Sequence, residues 1–242
     1  MSTTFIKLLL SVIVCSLGLG CASTSSVKSQ ADPYESLNRS IYGFNNGLDT
    51  YLIKPVSQGY RVITPEFMEA GVSNVFANLL EVRSLLNAGL QAKGSKSLHY
   101  SGRLFINTTV GLFGLLDIAQ YLGLEKIDGE DFGQTLGVWG VRSGPYLVLP
   151  FLGPSTIRDT AALPVNSYAY PLSYVDHVST RNSLTAAQIV DTRAGLLDSE
   201  KLLTGDRYIF IRDAFLQRRE FLVNDGIVED NFGESLDEDD DF

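Results

Sequence analysis

The side chains that could do catalytic chemistry are few and scattered along this chain of 242 residues. Its two histidines, His99 and His177, stand in unrelated contexts, without partners at a spacing typical of metal ligands. Glu130 and Asp131 are adjacent, so their carboxylates diverge instead of flanking one bond as a glycosidase pair does. The Gly-x-Ser-x-Gly turn of many hydrolases does not occur. The sequence therefore predicts no catalytic residue, no metal site and no cofactor.

Two charged residues fall inside apolar stretches, where a charge needs a partner. For Asp117 we favour a capped or paired structural acid over a base with a raised pKa. Arg83 lies within the apolar stripe of a predicted helix. It is interpreted either as part of an internal ion pair or a side chain that reaches to the edge of the protein. The alternative is a contact to a lipid phosphate, which a planar guanidinium suits well.

Residues 1–20 are typical of a secretory signal peptide. One base, Lys7, precedes the uncharged run Leu8–Gly20, which ends in small residues and is too short to span a bilayer well. Cys21 directly follows that run, as cleavage before a lipid-modified cysteine requires. We predict that Cys21 is lipidated, and the alternative is ordinary cleavage that leaves a free thiol. Because Cys15 leaves with the signal, lipidation leaves no thiol for a disulfide, a metal or catalysis.

The residue after the predicted lipid site is Ala22 and not Asp, so the inner-membrane retention rule of Gram-negative bacteria does not apply. We therefore expect a lipid anchor in the periplasmic face of the outer membrane. Residues 21–33 are predicted to be a flexible tether. Residues 229–242 hold eight acids and no base and are predicted to be a disordered tail. Residues 34–228 suffice for one domain, and without a basic stripe they do not favour nucleic-acid binding.

Helical patterns dominate the body, so the predicted fold class is mainly α. Tyr34–Ile53 reads as one or two helices that end before Pro55, since proline breaks a helix interior. Pro65–Gln91 has the clearest helical spacing. Its apolar stripe consists of Val72, Phe76, Leu79, Leu86 and Leu90, while Asn74, Asn78, Glu81 and Ser84 face elsewhere.

The remaining segments are less regular. Leu104–Leu124 is predicted to be a helix buried in protein or lying in lipid at the membrane surface, with Gly111 and Gly114 allowing a close backbone approach or a bend. Residues 128–160 are rich in glycine and proline and predict a structured loop or hairpin, or a re-entrant segment, in which only the YLVL stretch looks like a strand. Two helices follow, near Leu184–Leu203 and Asp206–Asn224. Gly226 is predicted to cap the second of them.

These properties alone predict a membrane-bound binding or transport module and do not name its ligand. Five blocks then occur in a fixed order: Asp32–Val56, Gly71–Val82, Arg103–Ala119, Phe132–Asp159 and Arg207–Gly226. In sequence they include DPYESLNRSIYGFNNGLDTYLIKPV, GVSNVFANLLEV and RLFINTTVGLFGLLDIA. In this arrangement the chain resembles the MlaA (VacJ) family of outer-membrane lipoproteins. Val82 departs from the family pattern, which usually has proline there.

The resemblance implies a ring- or disc-shaped helical domain whose amphipathic helices lie in one leaflet of the outer membrane. It implies extraction of phospholipids from the outer leaflet and their transfer to a soluble periplasmic carrier, which passes them to an ATP-driven inner-membrane complex. Trimeric outer-membrane porins are the implied partners. Neither catalytic activity nor a cofactor is implied.

Positions in these blocks give candidate residues for a lipid path. They are Phe44 and Asn45, then Asn107, Gly111 and Gly114, and finally Gly133, Gly137 and Gly144. The alternative for Asn45 is that it caps or bridges helices, and for the glycines that they serve turns. Two rival functions are a scaffold that holds an envelope assembly without moving lipid, and a periplasmic hydrolase with an unfamiliar site.

Overall fold

The computed structural model describes residues 32–202 and 205–227, and this part of the chain is mainly helical, as the sequence predicts. The predicted signal peptide, Cys21, nearly all of the tether and the acidic tail lie outside the described residues. The α-helices are α1 (Glu35–Leu48), α2 (Lys54–Ile63), α3 (Glu66–Leu90), α4 (Gly94–Thr109), α5 (Ile118–Tyr121), α6 (Phe132–Val138), α7 (Ile157–Tyr168), α8 (Val178–Gly195) and α9 (Arg207–Val223). Short 3₁₀ helices span Pro171–Tyr174 and Ser199–Leu202.

A single antiparallel hairpin interrupts the helices of the described chain. Strand β1 (Tyr146–Leu149) is the predicted YLVL stretch, and it pairs with β2 (Gly153–Thr156). The predicted loop or hairpin region is therefore confirmed. It also contains helix α6, which the sequence did not predict because its two glycines have low helix propensity. Asp131 starts that helix by accepting a hydrogen bond from the Gln134 N–H at 3.0 Å.

The helical segment predicted over Tyr34–Ile53 is confirmed, but the expected break at Pro55 is wrong. A π-helical segment, Asp49–Ile53, joins α1 to α2, and the Lys54 N–H bonds back to the Asp49 carbonyl. Pro55 thus falls in the first turn of α2, where a missing N–H costs little. The change in hydrogen-bond register lets the chain stay helical through the proline.

The predicted helix over Leu104–Leu124 is also wrong, because α4 ends at Thr109 and the short α5 begins at Ile118. The predicted bend at Gly111 and Gly114 is confirmed, since the backbone reverses between these helices. Within the described residues, no helix combines the length and the apolar character needed to cross a membrane.

The later helices agree with the sequence more closely. Helix α9 matches its predicted bounds to within a residue at each end, and Gly226, with φ of 85°, donates its N–H to the Phe221 carbonyl at 2.9 Å. Helix α8 instead begins six residues before its predicted start and ends at Gly195. His177 caps it by accepting from the Thr180 N–H at 3.3 Å, a role that its sequence context did not indicate.

The interior of this part of the chain is polar. Among the described residues, seventeen polar or charged residues are buried, against ten hydrophobic ones. Helix α3 shows the pattern most clearly, since it buries a row of polar residues while Leu86 and Leu90 are exposed. That row consists of Asn78, Glu81, Ser84 and Asn87.

Candidate functional site

The segment between α4 and α5 presents large apolar side chains in a strained backbone. Leu112 and Phe113 are 61% and 79% exposed, and both have positive φ, 53° and 58°. Gly114 follows with φ of 92°. A left-handed conformation costs a non-glycine residue roughly 1–2 kcal/mol, and such strain persists only where the surrounding structure fixes it. We call Val110–Leu116 the apolar loop.

Asn107 and the two flanking glycines hold the apolar loop in place. The Asn107 amide donates to Asp117 Oδ1 at 2.9 Å, its side-chain oxygen accepts from the Ala119 N–H at 2.9 Å, and its carbonyl accepts from the Gly114 N–H. A Cβ on Gly111 would lie 2.2 Å from the Leu116 carbonyl oxygen, so only glycine fits. These three predicted residues therefore meet at one place. All three are buried, so they position the exposed Leu112 and Phe113.

A buried ion triad lies beneath this loop. Arg103 is 2% exposed and donates from Nε to Glu81 at 2.8 Å and from Nη2 to Asp117 at 2.9 Å. Burial raises the pKa of Asp117, but the hydrogen bonds from Arg103 and Asn107 outweigh it and hold that pKa below its usual value. The interpretation of Asp117 as a paired structural acid is confirmed, whereas no local pattern indicated that Arg103 and Glu81 complete the triad.

Phe44 and Asn45 meet the tip of the hairpin. The Asn45 side chain donates to the Leu149 carbonyl at 2.9 Å and accepts from the Phe151 N–H at 2.8 Å. Asn45 thus bridges a helix and the hairpin, close to the structural alternative stated above. The Phe44 ring packs edge-on against Phe151, with ring centres 5.2 Å apart, and both rings are exposed. This pair forms a second outward-facing apolar point.

Asn38 precedes Asn45 by seven residues on α1 and makes the same kind of contact with the hairpin. Its amide donates to the Tyr146 carbonyl at 3.0 Å, and its oxygen accepts from the Val148 N–H at 2.9 Å. Spaced seven residues apart, Asn38 and Asn45 share one helix face and satisfy the open edge of β1. The sequence reasoning missed this role of Asn38, although the seven-residue spacing of two asparagines was visible.

Gly133 and Gly137 let charged side chains approach α6 closely. A Cβ on Gly133 would lie 2.4 Å from Asp159 Oδ1, and one on Gly137 would lie 2.8 Å from Arg158 Nη1. Their role here is close approach and not a turn. Gly144 has φ of 66°, a backbone conformation that favours glycine, and lies in the irregular segment just before β1.

The charges against α6 form a closed cluster of two arginines and two aspartates. Arg219 donates to Asp131 at 2.6 Å and to Asp159 at 2.9 Å, and Arg158 donates to Asp159 at 3.1 Å. We call Asp131, Arg158, Asp159 and Arg219 the α6 ion cluster. Its charges cancel within the protein.

Arg83 differs from the paired arginines of the α6 ion cluster. Among the described residues, its guanidinium makes no ion pair and no hydrogen bond, and its Nε is sealed from solvent without an acceptor. Burial lowers the pKa of Arg83, and the nearby charge of Asp131 opposes that effect only in part. The interpretation as an internal ion pair therefore fails within the described structure.

The described surface is unusually apolar for a protein in water. Tyr51, Val62, Ile63 and Phe67 are among many large apolar side chains that are mostly exposed, in addition to the apolar loop. The exposure of so many large apolar side chains fits an apolar surrounding. Within the described residues, no cluster of three histidine, cysteine or acidic side chains could hold a metal ion.

Comparisons with known proteins agree on one protein family. The model of the MlaA lipoprotein family matches residues 30–222. The chain is 36% identical over 214 residues to the intermembrane phospholipid transport system lipoprotein MlaA of Escherichia coli (strain K12), covering 86% of this chain and 85% of that protein. It is 34% identical over 231 residues to the protein of the same name from Haemophilus influenzae, covering 91% and 92%. A solved structure described as "Structural basis for maintenance of bacterial outer membrane lipid asymmetry" matches with a TM-score of 0.71 at 36% identity, covering 80% of this chain and 99% of that chain.

Proposed function

Because this chain belongs to the MlaA lipoprotein family, we propose that it removes phospholipids that have strayed into the outer leaflet of the outer membrane. It hands them to a soluble periplasmic carrier for return to the inner membrane, which maintains lipid asymmetry. The names of its relatives in Escherichia coli and Haemophilus influenzae support phospholipid transport between membranes.

The observation that carries this proposal is the reversed polarity of the fold. Moving a charged phospholipid headgroup through hydrocarbon costs several kcal/mol or more. A protein that is apolar outside and polar inside lowers that cost, because its exterior fits the acyl chains and its interior fits the headgroup. The buried polar row of α3 and the exposed apolar loop supply both properties in one domain.

The lipid anchor and the partners complete the proposal. Acyl chains on Cys21 hold the protein in the periplasmic face of the outer membrane, where a trimeric porin binds it. The domain forms a ring or disc in the inner leaflet, so that lipid from the outer leaflet enters and lipid from the inner leaflet is screened off. No cofactor or catalytic step is needed, since the affinity of the periplasmic carrier gives the transfer its direction.

The test is the outer-leaflet phospholipid content of cells that lack this protein. We expect a rise that an intact copy reverses and that a copy with Cys21→Ala, matched in expression, does not reverse. If the leaflet distribution is unchanged in the deleted strain, the transport proposal is wrong and the scaffold becomes the better reading. If Cys21→Ala restores asymmetry fully, the lipid anchor is not required for the activity.

A further inference from the structure

Arg83 is a partly buried cation for which the described protein provides no counter-ion. Of the arginines in the described residues, only Arg83 and Arg142 lack a hydrogen bond or ion pair in the protein, and Arg142 is exposed. A water-exposed guanidinium needs no protein partner. A guanidinium whose Nε is sealed without an acceptor carries a desolvation cost that the fold leaves uncompensated.

The acids near Arg83 are already committed to other groups. Asp131 is the charged acid that acts on it, but this carboxylate takes two hydrogen bonds from Arg219 and two from Gln134. Asp159, the other acid of the α6 ion cluster, is bonded by Arg219 and Arg158. The α6 ion cluster is therefore neutral in itself, and Arg83 adds one positive charge beside it. A single bound anion would balance that charge.

The surroundings of Arg83 on α3 select among anions. Leu86 and Leu90 follow it at three and seven residues, so they share its face of the helix, and they are 51% and 49% exposed. The exposed Trp139 lies next to them, since its indole N–H donates to the Leu90 carbonyl at 3.3 Å. A guanidinium beside a strip of exposed apolar side chains matches a molecule with a phosphate and an acyl chain, and a planar fork matches two phosphate oxygens at once.

We propose that Arg83 binds the phosphodiester of a phospholipid headgroup, with an acyl chain lying along Leu86, Leu90 and Trp139. This inference rests on the proposed function and names the headgroup contact within it. The same chemistry could be met by free phosphate, which lacks the chain, so the experiment separates the two sources.

The test uses the full mature lipoprotein in a maltoside detergent, which contains no phosphate. The probes are dihexanoyl-phosphatidylglycerol, inorganic phosphate, and dihexanoylglycerol, which has the same chains without a phosphate. We expect the phospholipid alone to shift the Arg83 Nε–H resonance, and to change the fluorescence of Trp139, the only tryptophan of the chain. An equal response to inorganic phosphate assigns the site to a soluble anion and overturns the lipid assignment. An equal response to dihexanoylglycerol shows that the chain alone binds and overturns the role of Arg83.

The variant pair is Arg83→Gln and Arg142→Gln, which remove the same charge from a partly buried and from an exposed position. We expect Arg83→Gln to weaken phospholipid binding about tenfold or more, because it removes a charge-assisted contact, and Arg142→Gln to change binding less than about twofold. Equal binding by all three proteins overturns the inference and leaves the proposed transport intact. Failure of the wild-type protein to bind any phospholipid would instead count against the proposed function.

Thermal unfolding separates this role from a structural one. A guanidinium that stabilises the fold would lower the melting temperature when replaced, whereas an uncompensated one leaves it unchanged or raised. We expect Arg83→Gln to melt at or above the temperature of the wild-type protein while it binds phospholipid more weakly. A clear drop in melting temperature with unchanged binding would overturn the inference.

Discussion

Asp131 is the residue whose protonation bears most directly on stability. Burial raises its pKa, but the two hydrogen bonds from Arg219 and the bonds from Gln134 outweigh burial and hold the pKa at about 2, against 3.8 for a free aspartate. The folded state thus favours the charged carboxylate. Its contribution to stability is present above the unfolded pKa of 3.8 and is lost as the pH falls through about 2.

We predict that Asp131→Asn lowers the free energy of unfolding by about 2 kcal/mol at pH 7, because a shift of this size is worth about that much. The difference from the wild-type protein should shrink as the pH falls from about 4 to about 2. Chemical unfolding in detergent at several pH values measures it. Asp128→Asn is the control, since Asp128 pairs with Arg218 at the surface and should matter by less than about 0.5 kcal/mol. A difference that stays constant down to pH 2 would contradict the assignment.

In the apolar loop, both the backbone conformation and the packing require glycine at position 114. Gly114 has φ of 92°, and a Cβ there would lie 2.5 Å from the Asn78 Cβ. Gly123 has nearly the same φ, 86°, with nothing within 4 Å of a built Cβ. The two glycines therefore separate conformational strain from steric overlap.

We predict that Gly123→Ala destabilises the protein by about 1 kcal/mol through strain alone. Gly114→Ala should cost about 3 kcal/mol or more, because the loop and α3 must also move apart. Melting temperatures of the two variants measure the difference. Equal shifts would mean that Asn78 yields to the new methyl group, and that the loop is held less firmly against α3 than the contact indicates.

The elements show which features the sequence could predict. Strand β1 and helix α9 follow from local signals, a short apolar stretch between turn residues and a helical run that ends at a capping glycine. The continuous helix at Pro55 does not, since a π segment depends on hydrogen-bond register that no local pattern announces. Helix α6 escaped prediction because its glycines are there to admit the α6 ion cluster, which only tertiary structure brings to it.

The candidate site was predictable in position but not in role. The polar Asn107 and Asp117 within an apolar run marked the apolar loop, and the structure brings them together as paired supports. For α3 the sequence predicts Asn78, Glu81 and Ser84 on one face, and these side chains are indeed buried together, but Phe76 of the predicted apolar stripe is buried as well. Helical spacing does not say which face is buried, and the rule that places apolar residues inside applies to proteins in water. The burial of Glu81 and Asn87 required the structure.

At the scale of the whole described chain, stability and membrane affinity have separate sources. Hydrogen bonds and ion pairs, such as the Glu81–Arg103–Asp117 triad, connect the helices inside. Large apolar side chains remain outside, where burying them in lipid is worth roughly 25 cal/mol per Å². Replacing an exposed apolar residue should therefore weaken membrane binding while leaving the fold intact, the reverse of its effect in a protein with an apolar core.

Phe113 offers the most direct test of that separation, because it is the most exposed side chain of the apolar loop. The background is Cys21→Ala, so that acyl chains do not dominate binding. We predict that Phe113→Asp in this background lowers binding to neutral phosphatidylcholine vesicles about tenfold or more, with little change in melting temperature, since a ring worth about 1.5–3 kcal/mol on burial becomes a charge. Asn182→Asp adds the same charge at an exposed polar position of α8 and should change binding less than about twofold.

Sedimentation with vesicles measures the binding of all three proteins. Equal binding by the Phe113 and Asn182 variants would place the apolar loop away from lipid and favour a protein partner as its cover. A large loss of stability in Phe113→Asp would show that the ring supports the fold, and the proposed reversal of polarity would then fail at its most exposed point. A loss of vesicle binding without a loss of stability would instead show that the exposed ring of Phe113 contacts the membrane and not the protein interior.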